Sequence, residues 1–415
     1  MDSTEIRNTG RSGGVDSTYA WLRLVLSMGL ATIGGAGMWS VIVVLPAVQY
    51  DFAVDRADAS LPYTATMVGF AFGNLLIGRF VDRFGISLPL ALASVGLGGG
   101  FLLASQSGSL LTFTIIQGVL IGFGAAASFG PLLADVSHWF VKRRGLAVSA
   151  TAAGNYVAGA IWPLIIGELM EGHGWRGAYL FIGVVCLVVL VPASFLLRRP
   201  APHTLHLADG SLPVDPPPMR RTSLTPGQLQ ALLIVAGIGC CVAMAMPQVH
   251  IVAYCVDLGF GMARGAEMLS LMLFGGIASR ILSGMLADRI GGIYTLLLGA
   301  VLQCLALLLY LPYDGLASLY VVSLIFGLSQ GGIVSSYAIV VREYLPAREA
   351  GRRVGAVITA TIVGMALGGW MSGWIYDLTS SYQAAFLNGI AWNLLNIAMI
   401  SLIIMKSGRS RLAIA

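Results

Sequence analysis

Gly78-Arg79-Phe80-Val81-Asp82-Arg83-Phe84-Gly85 is followed 206 residues later by Gly284-Met285-Leu286-Ala287-Asp288-Arg289-Ile290-Gly291. Both octapeptides place glycine, aspartate, arginine and glycine at the same positions, and each closes an apolar run. The same displacement relates Gly69 to Gly275 and Gly145 to Gly351, and Trp175-Arg176-Gly177-Ala178-Tyr179-Leu180 resembles Tyr382-Gln383-Ala384-Ala385-Phe386-Leu387 at a shift of 207. A displacement sustained across half a chain is far more specific than one short motif and marks an internal duplication.

Composition says what the duplicated halves are made of. Of 415 residues, 57% are hydrophobic and only 10% charged, against roughly 25% charged in soluble domains. That deficit excludes a water-soluble globular enzyme and makes the lipid bilayer the chain's main surroundings. A helix needs about 20 apolar residues to cross the hydrocarbon core. Twelve such runs emerge, at 22–48, 60–78, 86–106, 111–134, 145–167, 177–197, 228–254, 265–286, 293–312, 316–340, 352–376 and 383–405. Barrel strands would be shorter and would alternate in polarity, so helices are the reading that satisfies backbone groups in lipid. The first run follows an N-terminal segment with acidic residues and no small-residue cleavage site, and reads as a retained helix.

The stretch 198–226 holds seven prolines, four arginines and no apolar periodicity, as expected of a linker. It divides the chain into two six-helix halves, 1–197 and 227–415. With the N-terminus inside, 20 of the 24 basic residues fall on the cytoplasmic side and three, Arg56, Arg176 and Arg264, on the outer side. This is the asymmetry that orients membrane helices. It accounts for the net charge of +5 without nucleic acid, and it places both termini and the linker in the cytoplasm. The expected fold is therefore an all-α membrane protein of twelve transmembrane helices, located in the inner membrane if the cell is bacterial. Five cysteines, Cys186, Cys240, Cys241, Cys255 and Cys304, lie in apolar runs with no CxxC spacing and no histidine partner. They suggest neither a disulfide framework nor a metal site, and no cofactor is expected.

The paired loops resemble the G-x-x-x-D-R-x-G signature that follows helices two and eight in the major facilitator superfamily, and the resemblance covers essentially the whole chain. It implies two halves related by an axis along the membrane normal, with a substrate site near the midplane. It also implies a conformational latch built from Asp82, Arg83, Asp288 and Arg289, whose carboxylates can meet a helix N-terminus. Neither loop carries the further basic residues that often follow in that family. A second stretch, Trp139-Phe140-Val141-Lys142-Arg143-Arg144-Gly145-Leu146-Ala147 followed by Ala153-Gly154-Asn155 and Gly159, is similar to a signature of the monocarboxylate porters. In any membrane protein these residues would also serve as a basic inner loop and a glycine-faced packing helix.

Arg280 lies in Phe274-Gly275-Gly276-Ile277-Ala278-Ser279-Arg280, eight residues before Asp288 and so roughly 12 Å along the helix from the inner surface. A guanidinium at that depth costs at least about 2.5–3.5 kcal/mol to insert and should face a wet cavity or a partner. No Asp or Glu stands mid-run. Asp135, Glu168, Asp257, Glu267 and Asp377 all fall near run ends. An internal cation suits a carboxylate substrate through its two-point fork, although bonding to backbone carbonyls or water is the structural alternative. The position is similar to the substrate arginine of monocarboxylate porters and of oxalate–formate exchangers. The chain departs from the former in having Gly276 four residues earlier, where an acid is common, and no lysine at 38–48. It departs from the latter in having no Lys, Arg or His over 354–376. One buried cation favours a substrate with one negative charge.

His250, near the outer end of its run, is the candidate for proton coupling, or else anchors a helix end. Pro247 beside it is expected to break the helix. Tyr63, Gln117, Asn155, Tyr156, Gln330 and Tyr337 are polar groups inside runs that face the cavity or the opposing half in the resembled fold. Each can donate to the substrate or can glue helices together. Gly34-Gly35-Ala36-Gly37, Gly118-x-x-x-Gly122 and Gly364-x-x-x-Gly368 read as close-packing sites, since no strand gives a nucleotide loop its context. The sequence thus reads as a secondary transporter of small monocarboxylates such as lactate or pyruvate, coupled to H+ and working as a monomer. The alternatives are an anion exchanger of the oxalate–formate type and a proton-driven drug exporter, though the acid and arginine usual in that last class are missing. A receptor lacks an added soluble domain, and an enzyme lacks a nucleophile–base pair.

Overall fold

The computed structural model describes residues 14–140, 143–199, 222–345 and 347–407, and every regular element among them is helical. Lys142 and most of the expected linker lie outside the described residues, as does the side chain of Asp82. Among the described residues, eleven helical spans are long and apolar enough to cross a membrane: α1 Thr18–Phe52, α2 Arg56–Val81, α3 Ser87–Ala104, α4 Leu110–Ser137, α5 Leu146–Leu197, α6 Pro226–Asp257, α7 Met262–Ile290, α8 Gly292–Leu309, α9 Leu316–Tyr344, α10 Arg352–Thr379 and α11 Tyr382–Lys406. The count differs from twelve because the runs expected at 145–167 and 177–197 both fall in α5, which is 52 residues long. Between them Gly174 leaves the helical region, with φ 65° and ψ 180°, a conformation open to glycine and closed to most other residues.

Three spans are interrupted where small residues cluster: α1 at Gly35, α4 between Ala126 and Gly130, and α9 between Gln330 and Ile333. Within α4, Gln117–Gly122 forms a π-helical segment. By contrast α6 runs unbroken through Pro247, contrary to the expected break. Membrane helices tolerate an internal proline because neighbouring groups and small local adjustments satisfy the freed carbonyl.

The chain forms two compact units. The first is Met1–Val48 with Ala65–Ser211, and the second is Gln49–Thr64 with Leu212–Ala415. Large apolar side chains stand open on the surface, Leu111 at 71% and Val188 at 66% among them, as suits a surface solvated by lipid. Helices meet through glycine, which lets backbones touch. In the first unit a Cβ on Gly69 of α2 would stand 1.9 Å from the Gly118 carbonyl oxygen of α4, and one on Gly122 would stand 2.4 Å from that of Thr66. In the second, Gly327 and Gly331 of α9 press on the carbonyls of Met272 and Gly276 of α7, at 2.0 and 2.1 Å by the same measure. Gly364 and Gly368 of α10 lie against Ile238 and Val242 of α6, both at 2.6 Å.

Each unit fastens the chain end next to residues 200–221. Arg23 is buried and holds Asp135 with two bonds of 2.7 and 2.8 Å, stacks on Trp139 at 4.7 Å, and donates to the carbonyls of Leu197 and Arg199. Those carbonyls belong to a helix end with no intrahelical donors left. In the second unit Thr222 and Ser223 donate to the terminal carbonyl of Lys406, and Thr225 with Gln228 forms a capping box that starts α6.

Candidate functional site

Arg280 stands on α7 one turn beyond Gly276, where α7 and α9 cross most closely. A Cβ on Gly332 would collide with Ser283 at 2.0 Å, so α7 passes directly beside the interruption of α9. The side chain of Arg280 is half-buried, and its Cα lies ten residues before the end of α7, about 15 Å along the axis. The guanidinium is thus carried by a membrane-spanning helix at a joint whose backbone is locked by glycine contacts.

Other acids near span ends have defined work. Asp135 is held by Arg23, and Glu267 by Arg264 and the Tyr320 hydroxyl. Asp377 accepts from the backbone N–H groups of Arg56 and Ala57 at 2.9 and 2.7 Å, which caps the start of α2. Asp257 takes two bonds from the Arg56 guanidinium, at 3.2 and 3.1 Å.

The neutral candidates in the second unit are fully buried, and Gln330, Tyr337 and His250 each bond to a residue that the sequence reading had not selected. Gln330 accepts from Gln248 Nε2 at 2.7 Å. Tyr337 donates to Asn396 Oδ1 at 2.8 Å, and Asn396 in turn donates to Asn393. His250 Nε2 meets the Gly369 carbonyl at 2.8 Å and its Nδ1 the Tyr382 hydroxyl at 3.4 Å. Tyr63 is 1% exposed and lies with its ring against Gly369. In the first unit Gln117 is buried at the start of the π segment and accepts from Tyr179 at 3.5 Å. Asn155 is half-buried, its side-chain amide donating to Met38 Sδ and its backbone carbonyl accepting from Trp39 Nε1, and Tyr156 is also half-buried. Of the four latch positions, Arg83, Asp288 and Arg289 are exposed, and Arg83 lies over the Phe84 ring at 5.3 Å.

Sequence reasoning passed over Gln248, Arg56 and Tyr382. Gln248 stood in the same short stretch as His250, and Arg56 was one of only three basic residues assigned to the outer side. Arg56 thus carried a topological signal and no chemical one.

Apolar helical spans that cross at glycine define an integral, multi-pass membrane protein. The profile of the Major Facilitator Superfamily matches residues 27–316 and 266–413, and the chain belongs to that family. It is 29% identical over 331 residues to Monocarboxylate transporter 13 of Rattus norvegicus, covering 75% of this chain and 74% of that one. To the Agnestins efflux protein AgnL12 of Paecilomyces divaricatus it is 25% identical over 338 residues, with 77% and 73% covered. Across eight such relatives it spans from 62% to 81% of their length. Among solved structures, a bacterial homologue of the human lysosomal transporter Spinster superposes with a TM-score of 0.74 over 96% of this chain and 99% of that one, at 13% identity. That likeness establishes the fold.

Proposed function

We propose that this transporter carries small monocarboxylates of the lactate and pyruvate kind together with a proton, by alternating access, and works as a monomer. The observation that carries the reading is Arg280, a cation carried inside a spanning helix, ten residues before its end and beside the α7–α9 joint. It is supported by relatives that include monocarboxylate transporters. Arg280 takes the carboxylate by a charge-assisted fork, and neutralising it lowers the cost of closing a dry site around it. Tyr63, Gln117, Asn155, Tyr156, Gln330 and Tyr337 are hydrogen-bonding positions to be tested singly, and His250 receives the proton. Gly174 divides α5 into two crossings, because 52 residues make about 78 Å of helix against a core of about 30 Å. The count is then twelve, in halves 1–197 and 227–415 joined by the cytoplasmic linker 198–226, with both termini cytoplasmic. Asp82, Arg83, Asp288 and Arg289 form the latch.

The test is uptake of labelled lactate into proteoliposomes with and without an inward proton gradient, for the native chain and Arg280→Gln. Uptake that rises with the gradient and is lost in the variant is the expected result. Uptake only against internal anion assigns exchange. Absence of lactate transport by the native chain removes the substrate assignment, and the efflux protein among the relatives then directs the search to outward transport of larger acids.

A further inference from the structure

The second unit holds a directed line of hydrogen bonds from a buried imidazole to an ion pair. Arg56 is 6% exposed and belongs to the 49–64 segment, which packs with the second unit although it precedes the rest of it by about 150 residues of chain. Its guanidinium grips Asp257 at the end of α6 and donates to the Tyr382 hydroxyl at the start of α11. It also lies 4.6 Å from the Tyr376 ring centroid on α10. Tyr382 in turn meets Nδ1 of His250.

An arginine can only donate, so the Tyr382 oxygen accepts from Arg56 and its own proton is free to go elsewhere. It goes to His250 Nδ1, which must therefore carry a lone pair, while Nε2–H donates to the Gly369 carbonyl. Every bond in the line then has one donor and one acceptor, and the imidazole is the neutral Nε2–H tautomer. We propose that His250 Nδ1 is a proton-binding site whose occupation unfastens the 49–64 segment. A proton on Nδ1 removes the acceptor of the Tyr382 hydroxyl and turns one group in the line from acceptor into donor. The tyrosine oxygen then faces donors on both sides, and its own hydrogen must rotate out of the line. A second positive charge also enters beside Arg56. The titratable and charged groups facing His250 are Arg56 from the segment, Tyr382 from α11 and Asp257 from α6 itself, and Tyr254 of α6 packs on the Tyr382 ring. Tyr376 and Asp377 of α10 close Arg56 from its other side. Asp257 holds the Arg56 guanidinium and Asp377 holds its backbone N–H, and neither touches His250 Nδ1, so the proton's effect runs through the tyrosine.

This deepens the proton-coupling part of the proposed function and rests on it, but its test needs no substrate. Ser60 is fully buried, bonds to the Arg56 carbonyl and lies against Gly373. It reports whether the segment is seated. Ser60→Cys is introduced into the full chain in nanodiscs and its maleimide labelling rate is measured from pH 8 to pH 5.5, with the parent protein as the blank for the five native cysteines. Labelling should rise at least fivefold on acidification in the Ser60→Cys protein. With His250→Gln added it should stay flat and slow. With Tyr382→Phe, which removes the line's middle member, it should be fast at every pH. A flat profile in Ser60→Cys alone overturns the proposal, as does a pH step that survives either second substitution. If His250→Gln does not fold, the Ser60→Cys profile and the Tyr382→Phe variant still decide. Lactate uptake can fail while the labelling step holds, and the reverse, so the two readings fall separately.

Discussion

The two units build the same joint around different residues. In the first, α2 crosses α4 at Gly69, Gly118 and Gly122, and α4 breaks just beyond. In the second, α7 crosses α9 at Gly327 and Gly331, and α9 breaks beside it. Position 74, which corresponds to 280 under the 206-residue displacement, is asparagine. Its side-chain oxygen accepts from the Gly130 N–H at 3.1 Å and its amide donates to the Phe70 carbonyl at 2.9 Å. Asn74 thus caps the resumed segment of α4 as a local structural device. Arg280 occupies the equivalent place with a longer, charged side chain. The two joints share glycine packing, but one uses its polar position to cap a helix and the other carries a permanent charge there.

Six substitutions can break or sharpen this contrast. The largest effect on function belongs to Arg280→Gln. Losing a charge-assisted hydrogen-bonding fork costs about 1.5–3 kcal/mol, so lactate uptake per folded molecule should fall about 10- to 100-fold. An equal loss of uptake in Asn74→Ala, read in the same vesicles, would abolish the distinction between the joints.

For stability the largest effect is expected from Gly331→Val, because the added carbons meet the Gly276 carbonyl and backbone must move. We expect a loss of about 3 kcal/mol or more, visible as aggregation on size-exclusion chromatography. Gly69→Val should do the same in the first unit, and a well-tolerated valine at either position would show that the crossing is looser than described.

Asn74→Ala comes next. It leaves the Gly130 N–H without its acceptor and should lower stability by about 1–3 kcal/mol, measured as a drop in thermal midpoint, while uptake per folded molecule stays within about twofold of native. The smallest change is expected for Arg83→Gln and Arg289→Gln. Both side chains are exposed, so each should shift stability by no more than about 0.5 kcal/mol, and the latch reading predicts that they alter the rate of transport instead. Unequal effects of the two would show that the paired loops have diverged as far as positions 74 and 280.

Much of this fold was legible in the sequence because lipid imposes a simple rule. Spans announce themselves as apolar runs, and the Gly-x-x-x-Asp-Arg-x-Gly loops resemble the signature of the family to which the chain belongs. Arg280 was legible for the same reason, since a charge inside an apolar run is conspicuous. The partners of buried polar groups were not. Arg56 and Asp257 are 201 residues apart, and Gln248 and Gln330 are 82 apart. Which faces of two helices meet depends on their rotation, and nearly featureless apolar runs do not encode rotation in their periodicity. Pro247 misled for a related reason: its cost depends on neighbours that a single run does not show. Gly174 hid because one glycine in a glycine-rich chain carries no signal until its φ is known.

That glycine also sets a parity. In the twelve-crossing reading, every segment after Gly174 emerges on the membrane face opposite to the one it would reach if α5 crossed only once. In that reading one backbone angle sets the sidedness of every residue that follows it. Gene fusions carrying a reporter active on only one side of the membrane, placed before Gly174 and again after Lys406, would read that parity directly.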